Sequence, residues 1–149
     1  MILRLALVLL AGAALAGEPG IAARLVGGTV AGLEGRHSGR MDLTGKESLL
    51  FEGGGAVLRI PFDHIHMLEY GQHVNRRYAE AILISPLLLL AKSRKHFLTV
   101  GFSDETGHQQ VVVFEVGKRD VTAVLAGLEA KTGRRVEYQN EEARKSGKG

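Results

Sequence analysis

The sequence predicts a mainly β domain closed by one C-terminal α-helix, a curved antiparallel sheet or barrel whose open end the helix plugs. Three observations predict it. Short apolar runs alternate with polar residues at a period of two, and turn residues separate them. A single stretch near the end switches to helical spacing. The 149 residues with 45% hydrophobic and 23% charged content are those of one globular domain rather than a disordered chain. A two-layer α+β sandwich is the alternative arrangement of the same elements.

Taken in order, Arg24 to Leu33 is a glycine-broken apolar stretch in which Gly27, Gly28 and Gly32 favour a bend or bulge. Gly39 to Leu43 alternates polar and apolar residues, Thr44 to Glu47 reads as a turn, and Ser48 to Glu52 is the return strand. Gly53-Gly54-Gly55 is a second turn and Ala56 to Ile60 the next strand, ended by Pro61, which cannot donate to a ladder. Ile65 to Tyr70 resumes an extended pattern. His96 to Ser103 puts Leu98, Val100 and Phe102 on one face, and Gln109 to Val116 does the same with Val112, Phe114 and Val116. Between them, Asp104-Glu-Thr-Gly107 has the glycine a tight hairpin needs. Asp120 can cap a helix, Val121, Val124, Leu125 and Leu128 form its apolar stripe, and Gly133 stops it. Val136 and Tyr138 add a brief extended piece. Residues 141 to 149 are charged, lack large apolar side chains, and read as a flexible tail.

Val57-Leu-Arg-Ile-Pro-Phe-Asp-His-Ile65, continuing to Leu68-Glu69-Tyr70, resembles the Ile-Pro-Tyr-x-x-Ile segment of bacterial pleckstrin-homology-like and GRAM-like domains. The Leu-x-Phe hairpin before it and the helix after Glu115-Val116 are similar too. The resemblance covers roughly residues 24 to 133 and implies a pleckstrin-homology-like fold over residues 17 to 140, with a binding or scaffolding role. Two departures stand out: Phe62 replaces a common Tyr, and an apolar block is inserted at residues 78 to 91.

The ends of the chain add a compartment. Met1-Ile-Leu-Arg4, the apolar run from Leu5, and Ala14-Leu15-Ala16 make residues 1 to 16 a signal peptide, with an uncleaved anchor as the alternative. This places the protein in the periplasm or cell envelope, with association to the inner membrane under the anchor reading. There is no cysteine, so an oxidising compartment supplies no disulfide. Without residues 1 to 16 the chain carries 18 basic and 16 acidic side chains, too near balance for net charge to name a partner.

The distribution of charge says more. The block from Tyr78 to Ala91 includes Ile82, Leu83, Leu87, Leu88, Leu89 and Leu90, and has Arg76 and Arg77 before it and Lys92, Arg94 and Lys95 after it. At roughly a dozen residues it is shorter than the about 20 a spanning helix needs, which is the length of buried or interfacial segments. Tyr78 and Phe97 flank it as aromatic edges of a membrane-contacting segment would. These residues are the expected contact with a membrane surface or, alternatively, with a protein partner, a second copy included. His64 and His66 are metal candidates, two apart on a presumed strand, but no compact third ligand follows them. No thiol, Gly-x-Ser-x-Gly elbow or phosphate cradle is present, so neither an enzyme nor a cofactor is expected. With no Trp and few other aromatics among the basic residues, no nucleic-acid partner is expected either.

Overall fold

The structure is a computed structural model that describes residues 20–74, 77 and 95–148. The expected signal peptide and the apolar block at 78–91 lie outside the described residues.

Among the described residues eight strands form one sheet: β1 (Ile21–Gly28), β2 (His37–Asp42), β3 (Ser48–Gly53), β4 (Ala56–Pro61), β5 (Ile65–Gly71), β6 (His96–Ser103), β7 (Gln109–Val116) and β8 (Val136–Tyr138). Among the described residues two helices complete it, α1 (Val121–Thr132) and α2 (Glu141–Lys148), with a 3-10 turn at Phe62–His64. The order across the sheet is β4-β3-β2-β1-β7-β6-β5-β8. Every neighbouring pair is antiparallel except β5 and β8, which run parallel. The mainly β class with helix at the C-terminal end is therefore what the chain adopts.

Period-two patterning explains the pairings. Leu98 sits opposite Phe114 and Val100 opposite Val112, so the predicted faces of β6 and β7 meet the same core. That core gathers Leu25, Met41, Leu49, Phe51, Ile60, Leu68, Tyr70 and Phe114, with the Phe51 and Phe114 rings 5.4 Å apart. Helix α1 adds its whole predicted stripe, Val121, Val124, Leu125 and Leu128, and ends at Gly133. Asp120 does stand at its N-cap, but its carboxylate makes no capping bond; the Gly117 carbonyl accepts from the Asp120 and Val121 N–H groups, and the Asp120 carbonyl accepts from Val124.

Two features differ from the sequence reading. The expected flexible tail over 141–149 is helix α2 as far as Lys148, with Ala143 and Gly147 buried. It has no apolar stripe to find, because small residues let the helix backbone approach Tyr70, Tyr138 and Leu125. The second difference is that burial extends to the other face of the sheet. Phe97 and Val113 alternate away from Leu98 and Phe114, yet with Val26 and Val74 they make a second buried cluster. Val26 follows the core-facing Leu25 onto that opposite face, at a β-bulge between Leu25 and Gly27.

Candidate functional site

The β5–β6 connection carries the sequence-predicted site. Gly71 pairs directly with Phe97, so the two ends of the β5–β6 connection lie side by side. Its entry is tied to the C-terminal segment. Gln139 donates its backbone N–H to the Tyr70 carbonyl (3.1 Å) and its side-chain amide to the His73 carbonyl (2.9 Å) and Glu69 Oε1 (3.2 Å). Glu69, His73, Val74, Arg77, Glu137, Tyr138 and Gln139 surround a depression of about 420 Å³ here.

Of the predicted contact residues, Arg77 and Lys95 are described; Arg76, Ile82, Leu83, Leu87, Leu88, Leu89, Leu90, Lys92 and Arg94 lie outside the described residues, as does Tyr78. Arg77 is exposed. Lys95 is half-buried, and its ammonium lies 3.8 Å from Glu115 Oε1, while Arg24 approaches Oε2 of the same carboxylate at 3.5 Å. Part of the basic collar is thus committed to an internal ion pair. Phe97 is not an interfacial aromatic edge: it is buried in β6, because the outer face of the sheet is apolar at Val26 and Val113.

Next to Lys95, His96 begins a chain of polar contacts. Tyr70 Oη lies 2.6 Å from His96 Nδ1 and donates to Ser146 Oγ at 3.2 Å. Each proton is used once if Nδ1–H donates to Tyr70. Burial lowers the His96 pKa, with the charge of Lys118 adding to it. Burial raises that of Tyr70, and the hydrogen bond with Ser146 opposes the rise. This chain ties α2 to the sheet. Sequence reasoning missed it because its members come from three distant segments, and only Tyr70 at the end of an apolar strand hinted at a buried hydroxyl needing a partner.

His64 and His66 are not neighbours on one strand face. His64 belongs to the 3-10 turn, where its Nδ1 contacts the Ser103 carbonyl at 3.1 Å. His66 is the extra residue of a bulge between Ile65 and Met67 and is exposed. The two-residue spacing loses its meaning once the backbone is not a regular strand. Among the described residues, no three His, Asp or Glu side chains gather as a metal site would require.

A groove of about 470 Å³ lies where the β1–β2 loop, β4 and the β6–β7 hairpin meet. Val30, Ala31, Leu58 and Phe102 supply apolar wall, and Arg59, His64, Asp104 and Gln110 the polar part. Asp104 is fully engaged: it accepts from Thr106 N and Oγ1, His108 N and Gln110 Nε2 at 2.7–2.9 Å. The Thr106 and Gln110 side chains hold its carboxyl far below the usual range. Its role is to pin the hairpin, with Gly107 at positive φ.

No protein-family model matches the sequence, and a search of curated proteins returns no match.

Proposed function

We propose that this chain is a non-enzymatic binding module of pleckstrin-homology-like build, exported to the cell envelope, which docks on a membrane surface through segment 78–91 and its basic flanks. What supports the build is the run of seven antiparallel strands followed directly by α1. What supports export is the apolar segment ending at Ala14-Leu15-Ala16.

The observation that carries the docking reading is the Gly71–Phe97 pairing. It makes the apolar block an insertion between two strands that already pair, flanked by Arg76, Arg77, Lys92 and Arg94. Each basic residue near an anionic surface contributes about 1 kcal/mol. Lys95 counts for less because Glu115 already neutralises it.

A second reading has its own observation. The outer-face cluster of Val26, Val74, Phe97 and Val113 lies beside the ends of the β5–β6 connection and is buried within the single chain, which favours a block packed on protein, by its own chain before a second copy, over one docked on a bilayer. One experiment separates the two: vesicle sedimentation of the full chain and thermal unfolding of the same variants. Under the docking reading the chain binds phosphatidylglycerol-containing vesicles at low salt. Arg94→Glu, reversing one charge, weakens binding by about 2 kcal/mol, roughly thirtyfold, and Leu88→Asp weakens it further with little change in Tm. Failure to bind, or binding indifferent to salt and to both substitutions, overturns it. A large fall in Tm for Leu88→Asp in lipid-free buffer supports packing of the block, and a dimer dispersed by that substitution supports self-association.

A further inference from the structure

Strand β4 is a free edge of the sheet, paired among the described residues only with β3. The hairpin joining them turns through Gly54 and Gly55, both at positive φ (58° and 78°), the geometry of a two-residue type I′ turn. Gly53 and Ala56 are therefore the closing, hydrogen-bonded pair, and bonded pairs recur at every second residue. Ala56, Leu58 and Ile60 direct their backbone groups to β3. Val57 and Arg59 direct N–H and C=O to the free edge, and Pro61 adds a C=O at the position where an outward N–H is dispensable. Neither Val57 nor Arg59 makes a backbone hydrogen bond outside its hairpin among the described residues.

The side chains continue the pattern. Val57 is 63% exposed, and Arg59 is exposed with no ion-pair partner among the described residues. Leu58 and Arg59 leave β4 on opposite faces, so the groove that touches both runs along this edge. Its far wall is Val30, Ala31 and Phe102. A row of outward N–H and C=O groups is satisfied by another strand and by few other ligands.

We propose that β4 takes an extended peptide segment of a partner protein as an added strand, with an acidic residue beside Arg59 and the neighbouring apolar side chain turned into the groove of Leu58, Val30, Ala31 and Phe102. Charge complementarity favours this occupant over a second copy. Ala56 to Pro61 contains no carboxylate, so a second β4 sets another arginine near Arg59 and brings no acidic residue on its own strand, whereas Asp42 and Glu47 border Arg59 from its own chain's side. The acidic residue belongs at Arg59 and not deeper, because Asp104 and Glu105 line the hairpin side of the groove.

The test uses the full chain labelled with nitrogen-15 and two capped synthetic hexapeptides, Thr-Val-Glu-Val-Thr-Val and the same sequence with Lys for Glu. The Glu peptide shifts the Val57 and Arg59 amides and slows their hydrogen exchange, and binds more tightly than the Lys peptide. Val57→Pro removes an N–H that β3 does not use and weakens binding by about tenfold, the size of one hydrogen bond. Arg59→Glu reverses the preference between the peptides, which keeps the test decisive should the proline variant fail to fold. Unshifted Val57 and Arg59 amides at millimolar peptide, or shifts that survive both substitutions, overturn the proposal. So does concentration-dependent protection of these amides without peptide, accompanied by a dimer, which would make the occupant a second copy.

Discussion

Gly147→Ala tests whether α2 is docked, because its two possible effects have opposite signs. In an exposed helix, alanine is favoured over glycine by about 1 kcal/mol. In the structure, a Cβ at 147 would lie 2.7 Å from Tyr138 Cε1, 3.0 Å from Leu125 Cδ1 and 3.2 Å from Tyr70 Cδ1. The Leu125 methyl can move a little. Tyr70 cannot move freely, since its hydroxyl is held by His96 and Ser146 and its ring stands edge-on to Tyr138 at 6.0 Å. Overpacking of this kind costs about 1–3 kcal/mol. Subtracting the propensity gain leaves a destabilisation of about 0–2 kcal/mol. Gly147→Leu exceeds what the site accommodates and forces α2 off the sheet, so it should match deletion of 141–149. Guanidinium unfolding by circular dichroism measures the stabilities, and the near-ultraviolet spectrum of Tyr70 and Tyr138 reports the junction. A Gly147→Ala protein more stable than the parent, with an unchanged tyrosine spectrum, would refute docking and restore the flexible tail.

Two other outcomes follow from the same packing. Phe114→Ala removes a fully buried ring tilted against Phe51 and should cost about 3–5 kcal/mol in chemical unfolding, a large share of the about 5–15 kcal/mol of a typical domain. For His96 the folded pKa is depressed, chiefly by burial and then by Lys118, so the unfolded chain binds the proton more readily. Its contribution is complete above the unfolded value of about 6.5 and is lost as pH falls through that value toward the folded one. Unfolding free energies measured between pH 7.5 and 5 should fall with pH, and His96→Asn should fall less steeply; equal slopes would contradict the burial.

Where local period decides structure, the sequence was legible. Leu98, Val100 and Phe102 on β6, with Val112, Phe114 and Val116 on β7, alternate cleanly, and the turn between them carries its own glycine. The α1 stripe was visible for the same reason. Legibility failed where burial depends on a distant partner. Phe97 reads as an aromatic edge of the apolar block, yet it and Thr99, on the face of β6 opposite Leu98, are buried. His64 and His66 look like strand neighbours until a turn and a bulge separate them, and a bulge is set by how β5 meets β6, not by the identities of residues 64 to 66. Helix α2 hides behind its charges because Ala143 and Gly147 dock by being small, a property that no hydrophobic pattern records.

The same reasoning bears on the apolar block. The length and basic ends of the block from Tyr78 to Ala91 suit a membrane surface or a protein partner. The cluster of Val26, Val74, Phe97 and Val113 shows that the sheet has a second apolar face, next to the paired ends of β5 and β6. Water is excluded from an apolar block equally well by a sheet face or by a bilayer, so hydropathy weighs the same for both. Only the basic flanks distinguish the two. Charges at Arg76, Arg77, Lys92 and Arg94 add nothing to packing on an apolar sheet face but add attraction to an anionic membrane, so the salt dependence of vesicle binding, more than the contribution of any leucine, decides between them.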